Sequence, residues 1–185
     1  MLRLPFRSTD DWLYELCQAN DVLRIERTVE GDLIIGPPAG FKSSNRNANI
    51  VAQLSQWAAR DGAGLATESS GGFVLPDTSM FAPDAAWVRH ERLDALTAGQ
   101  QERFLPLCPD FVIELHSQSD SLADTQAKMR QYVSNGLRLG WLIDPFARDV
   151  YVYRPSADVE VLHDPDGVQG DPVLAGFRLE IASIW

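Results

Sequence analysis

Two acids stand where apolar strands would otherwise carry another valine or isoleucine. Asp84 lies in Pro83-Asp84-Ala85-Ala86-Trp87-Val88, and Glu114 in Phe111-Val112-Ile113-Glu114-Leu115. Burying an unpaired carboxylate costs several kcal/mol, so each acid needs a reason to be there. From spacing alone, the plain reading, that Glu114 alternates onto a solvated face or pairs with an arginine, weighs the same as a functional one. Two such strands shift the balance, because adjacent carboxylates repel and raise each other's pKa unless a cation lies between them. An oxygen-ligand ion, Mg2+ or Mn2+, fits that position.

Lysine is the second chemical signal. The chain has 16 Lys and Arg, and only Lys42 and Lys128 are lysines. On a helix centred on Met129, residues Leu122, Tyr132, Val133 and Gly136 fall within about 60 degrees of the buried direction, and Lys128 about 100 degrees away. Lys128 therefore borders the buried face. Its ammonium can snorkel to solvent, or reach back to the end of the Glu114 strand to hold an attacking water or a phosphate oxygen. In the second case, Lys128→Met is expected to abolish any metal-dependent chemistry at the site with thermal stability nearly unchanged.

These groups need elements to hold them. Thr9-Asp10-Asp11 starts a helix carrying Leu13, Leu16 and Cys17 and ending near Asn20. Val22 to Arg27 alternates as a strand, and Glu30-Gly31-Asp32 turns into Leu33-Ile34-Ile35 before Gly-Pro-Pro. Ser43 or Ser44 caps a longer helix with Ile50, Val51, Leu54, Trp57 and Ala58 at helical spacing, ending near Asp61-Gly62. Strand pieces follow at 64–68 and 72–75, and the apolar run from Phe81 to Val88 predicts one buried strand. A polar helical insert from about Glu91 to Arg103 precedes the Glu114 strand. Ser121 with Asp124 opens a helix that Asn135-Gly136 stops. Leu139 to Asp144 and Val150 to Tyr153 read as a hairpin, and two short strands, 159–162 and 177–181, flank a loop at 163–167.

Composition sets the class. The 185 residues are 45% hydrophobic and 23% charged, with no run of about 20 apolar residues, which leaves one ordinary compact domain and excludes disorder, collagen and a membrane span. A net charge of -10 and a pI near 4.6 argue against a globally basic nucleic-acid binder. Cys17 and Cys108 have no metal-ligand spacing and read as reduced thiols. MLRLPFRSTDDW has no signal-peptide apolar run, so a cytoplasmic location is expected.

Together the segments Pro83 to Val88, Cys108-Pro-Asp-Phe-Val-Ile-Glu114-Leu-His-Ser-Gln-Ser-Asp-Ser-Leu122, Lys128-Met-Arg-Gln-Tyr132, Asn135-Gly136 and Leu139 to Pro145 resemble the Uma2 family, also called DUF820, from about Arg24 to Trp185. The resemblance implies a branch of the PD-(D/E)XK nucleases. The implied fold is a restriction-endonuclease-like mixed β-sheet flanked by α-helices, with additional N-terminal and C-terminal strands, forming one domain over 1–185 whose N-terminal helix (1–21) is least covered. It also implies a Mg2+-dependent endonuclease acting on DNA phosphodiesters. Asp84 matches the metal-binding Asp and Glu114 the acid of the (D/E)XK strand. The motif lysine would stand at 116, where this chain has His116, and Lys128 resembles the family's helix lysine. Relatives commonly show Asn-Ala-Glu where this chain has Asn47-Ala48-Asn49. The helix wheel turns Asn47 inward and Asn49 outward, so Asn47, like His116, is an auxiliary candidate.

The expected centre is Asp84 and Glu114 sharing one cation, with the backbone carbonyl of Leu115 as a further ligand and Lys128 assisting water attack. Acidity opposes contact with DNA, so an arginine patch, Arg46, Arg130 and Arg138, is expected beside the acids. The oligomeric state is left open by the sequence, although double-strand cutting with one site per chain would call for a homodimer. The rival is a nuclease-fold binding or regulatory module without turnover, supported by Asn49 and His116. A third reading, a two-carboxylate glycoside hydrolase, has no local support. His90, His116 and His163 are too scattered for a local zinc motif. The loop at Asp164-Pro-Asp166-Gly167 departs from a calcium loop, since Gln169 and Ala175 fill the sixth and twelfth positions. Ser117, Ser119 and Asp120 are read as helix capping, and Trp57, Trp87 and Trp141 as core.

Overall fold

The computed structural model describes residues 8–118 and 120–185; residues 1–7 of the expected domain, and Ser119 of the expected capping group, lie outside the described residues. Helix α1 (Asp10–Ala19) starts at Thr9, whose side chain accepts from the Trp12 N–H. It covers a small sheet in the order β2-β1-β5-β4, made of β1 (Arg24–Arg27), β2 (Leu33–Gly36), β4 (Phe73–Val74) and β5 (Met80–Phe81). Leu13, Ile25, Leu33 and Met80 form the shared core.

The main sheet has six strands: β3 (Gly64–Glu68), β6 (Ala85–Arg89), β7 (Phe111–Leu115), β8 (Leu139–Asp144), β9 (Asp149–Tyr153) and β10 (Glu160–His163), in the order β10-β9-β8-β7-β6-β3. Only β7 and β8 run parallel, joined by the crossover helix α5 (Leu122–Ser134); the other neighbours are antiparallel. Strand β7 is buried along its whole length, so both faces must be covered. Helix α2 (Phe41–Asp61) covers one face, placing Ile50, Leu54, Trp57 and Ala58 against Phe111, Ile113 and Leu115. Helix α5 covers the other, placing Met129 and Tyr132 near Val112 and Leu142. Alternation along β7 thus turns Glu114 toward α5. Helix α5 seats closely because β8 offers Gly140, where an added Cβ would come within 2.5 Å of the Met129 Cε and 2.7 Å of the Leu137 Cδ2. A C-terminal pair, β11 (Gly167–Gln169) with β12 (Arg178–Glu180), closes against α2.

Several elements differ from the sequence expectations. The run Phe81 to Val88 is not one strand: β5 and β6 belong to different sheets, and the chain breaks at Ala82-Pro83-Asp84. Pro83 has no N–H to continue a ladder. Helix α2 begins at Phe41 behind Gly40, with no side-chain cap, so Ser43 and Ser44 lie in its first turn. Tertiary burial of its apolar stripe stabilises the helix without a cap. The polar insert resolves into two single-turn helices, α3 (His90–Leu93) and α4 (Ala98–Gln101), the second capped by Thr97. Strand β11 was not expected, because it emerges from a turn-rich Asp-Pro-Asp-Gly loop and Val168 is its one apolar residue.

Asp77, in the turn joining β4 to β5, clamps the end of α5. It accepts from the Gln131 Nε2 at 2.9 Å, the Asn135 Nδ2 at 2.8 Å and the Ser79 Oγ at 2.6 Å. Burial alone would raise its pKa, but these donors outweigh burial and hold the carboxyl below its usual range. With a depressed folded pKa, its contribution is complete above the ordinary carboxylate value of about 3.9 and lost as pH falls through the folded value. Asp77→Ala should therefore lower unfolding free energy by about 1–3 kcal/mol near neutrality. Urea titrations should show that deficit shrinking in acid; a deficit that grows there contradicts the assignment.

Candidate functional site

The break before β6 builds the site. The Ala82 N–H donates to the Glu26 Oε1 at 2.9 Å, and the Ala82 carbonyl accepts from the Arg24 Nη2 at 2.6 Å, so β1 holds the break from both sides. Asp84 then projects from the mouth of β6 rather than from within it, and its Oδ2 accepts the Leu115 N–H at 2.7 Å. That bond takes the place of a ladder bond at the end of β7. A residue's N–H and C=O point the same way along a strand, so the Leu115 carbonyl faces the same edge as Asp84.

Glu114 is buried, with its side chain 4% exposed. Its Oε1 accepts from the Tyr132 hydroxyl at 3.2 Å and pairs with the Lys128 Nζ at 2.7 Å. Lys128 also pairs with the Glu26 Oε1 at 2.8 Å, and its ammonium lies over the rings of Phe81 and Tyr132. Its Nζ therefore reaches the end of the Glu114 strand from the border of the buried face.

Two members of this cluster were not identified from sequence. Arg24 and Glu26 are two residues apart on β1 and share one face. Glu26 is buried, yet its charged-and-alternating context looks like a solvated strand. The Arg24 guanidinium pairs with Asp84 Oδ1 at 3.2 Å, Glu114 Oε2 at 3.4 Å and Glu26 Oε1 at 3.5 Å. Tyr132 was read only as core; its hydroxyl is the further donor to Glu114. The one sequence signal was the pairing of opposite charges on a single face of a four-residue strand.

Electrostatics follow from burial. Desolvation pushes the Glu114 carboxyl up to about 7, outweighing Lys128 and Arg24, with the Asp84 and Glu26 charges adding to the rise. Burial pushes Glu26 the same way, but Lys128, Arg24 and the Ala82 N–H bring it below the usual range. Burial beside Glu114 and Glu26 also raises the Tyr132 phenol, which stays a donor. Among the described residues no three His, Cys, Asp or Glu side chains stand at ready metal-ligating spacing. By chemistry the donor set suits a hard divalent cation, since Asp84, Glu114 and Glu26 offer only oxygen and converge on one cationic group.

Above the cluster a groove of about 700 Å3 runs between the small sheet and the start of α2, lined by Arg24, Ser43, Ser44, Asn47, Asp84 and Leu115 among others. The Asn47 Oδ1 is buried there with no hydrogen-bond partner, while the Asn49 amide donates back to the Asn45 carbonyl in its own helix. His116 is not brought to the acids. It lies past the end of β7 with its ring edge-on to Phe146 at 5.9 Å, because the strand alternation that serves Glu114 ends at Leu115.

The expected arginine patch does not assemble. Arg46 donates to the carbonyls of Ile184 and Trp185, Arg138 pairs with Asp110 at the opposite end of β7, and Arg130 is exposed on α5 near Tyr153. Arg46 and Arg138 thus satisfy local carbonyls and an acid elsewhere, and Arg130 stands exposed on the outer side of α5.

Lys128 neutralises two buried carboxylates, so the expectation that Lys128→Met leaves stability nearly unchanged is corrected. That variant should lose about 3 kcal/mol, the cost of a buried charge stripped of its partner. Glu26 and Glu114 would then hold protons more tightly folded than unfolded, so stability falls as pH rises. Urea titrations should show a larger deficit at pH 8 than at pH 5, with partial recovery when Glu26→Gln is added. An equal deficit at both pH values contradicts this account.

Residues 10–182 match the Uma2 family model, described as "Putative restriction endonuclease". Among solved structures, that of "a putative nuclease belonging to DUF820" from Anabaena variabilis aligns with a TM-score of 0.74 at 23% sequence identity, covering 86% of this chain and 88% of that one. At that identity the likeness speaks for the shared fold. None of the curated proteins compared with the chain matches it.

Proposed function

The chain belongs to the Uma2 family, and from that premise we propose that it is a divalent-metal-dependent endonuclease hydrolysing DNA phosphodiester bonds. The observation that carries the reading is the meeting of Asp84, Glu114 and Lys128, from three separate elements, beneath one open groove. Asp84 and Glu114, with the Leu115 carbonyl, are the residues to hold Mg2+, or Mn2+ in its place. When bound, such an ion polarises the phosphoryl oxygen and supplies hydroxide from water near neutral pH.

The chain's own residues do the remaining work. Lys128, fixed by Glu26 and Glu114, holds its ammonium where a water or a phosphate oxygen is to be oriented. Asn47 lines the groove, and its buried Oδ1, which has no protein partner, would take a water proton once the side chain turns toward that water. The Leu115 N–H holds Asp84 in place, and Tyr132 does the same for Glu114. A second copy is proposed for cutting both strands, since one such cluster per chain serves one strand.

A binding or regulatory module without turnover is the second reading, favoured by the dispersal of Arg46, Arg130 and Arg138 away from the acids. Plasmid DNA with Mg2+ or Mn2+ separates the two. Wild type should nick and linearise it, and Glu114→Ala and Asp84→Asn should each lose that activity by roughly two orders of magnitude or more. DNA binding by a wild type that never cleaves would favour the module.

A further inference from the structure

We propose that Arg24 is a built-in cation that holds the three carboxylates while no divalent ion is bound, and swings into the groove to take a substrate phosphate when one is. The inference rests on the metal-dependent reading of the site above. Its first support is the way the guanidinium is shared. Charge-assisted bonds to a carboxylate run at about 2.7–2.9 Å and favour a two-pronged fork. Arg24 instead divides itself among Asp84, Glu114 and Glu26 at 3.2, 3.4 and 3.5 Å, with its one short bond to the Ala82 carbonyl. It acts as a common counter-ion, not as the dedicated partner of any one acid.

Position is the second support. Arg24 lines the groove with its side chain 37% exposed, whereas Asp84, Glu26 and Glu114 are 13%, 8% and 4% exposed. An ion arriving from the groove meets the guanidinium first. Lys128 closes the other side and is badly placed to yield, being held by two shorter ion pairs and packed over the Phe81 and Tyr132 rings.

Charge balance decides which cation leaves. With Arg24 gone, three carboxylates against the Lys128 ammonium leave two negative charges, which one divalent cation neutralises. Retaining Arg24 would crowd a third cation into the cluster, at a Coulomb cost that low local dielectric magnifies. The destination is equally specific. Arg24 is the one Lys, Arg or His side chain among the described residues lining the groove, alongside Asp21, Asp84 and Asp120. Its release therefore supplies the groove with the positive charge that a phosphate needs, and couples ion binding to substrate binding in the favourable direction.

Mn2+ binding by titration calorimetry to wild type and Arg24→Gln, with and without a short duplex oligonucleotide, tests this. Arg24→Gln should take Mn2+ roughly tenfold more tightly and lose the Mn2+-induced gain in oligonucleotide affinity that wild type shows. A second measurement needs no variant: Mg2+ should speed modification of wild-type Arg24 by phenylglyoxal, mapped by peptide mass spectrometry. Unchanged or weaker Mn2+ binding in Arg24→Gln, or Mg2+ leaving Arg24 equally reactive or protected, overturns the role of Arg24 and leaves the metal reading standing. No Mn2+ bound by either protein overturns both.

Discussion

Three carboxylates gathered at one end of a sheet cannot stay buried without positive charge delivered to the same place. Glu26, Asp84 and Glu114 meet that requirement through Arg24 from the small sheet and Lys128 from the crossover helix. Much of the architecture is explained by this delivery. The parallel β7-β8 pair requires a crossover helix, and the face of that helix that packs on the sheet brings Lys128 and Tyr132 to Glu114.

The join between the two sheets depends on one local defect. At Ala82-Pro83-Asp84 the chain leaves the small sheet and enters the large one, and Pro83 ensures that no continuous ladder forms across the step. Freed from the strand, Asp84 accepts the Leu115 N–H that lies beyond the part of β7 paired with β6, and Ala82 is tied to Glu26 and Arg24. The same three residues therefore terminate a strand, satisfy backbone groups and set the spacing of the acids. A regular strand through this segment would have pointed Asp84 along a sheet face instead.

Charge is distributed against casual contact with polyanions. The chain carries a net charge of -10, its exposed arginines mostly serve nearby carbonyls and acids, and the groove over the cluster has more acidic than basic side chains. The proposed phosphate binding would have to be conditional, because an unconditional basic groove is absent among the described residues. The buried acids are the natural place for that condition, since their charge is compensated from inside rather than by solvent.

The sequence by itself determined the α/β class, the strand-helix-strand order around Glu114, the helix stop at Asn135-Gly136 and three of the polar residues in the cluster. These were legible because an acid inside Phe-Val-Ile-Glu-Leu, or a rare lysine beside an apolar stripe, contradicts the local pattern around it. Arg24 and Glu26 contradict nothing locally: alternating charges on a short strand are what a solvated edge also shows. Only the tertiary structure turned that face inward, and it did so by pairing Arg24 with acids 60 and 90 residues away. The fate of His116 and of the arginines was likewise decided by where β7 ends and which carbonyl or acid each arginine reaches. Periodicity carries one face of one element, whereas the choice of buried partner is made between elements, where the separation along the chain leaves no trace in local spacing.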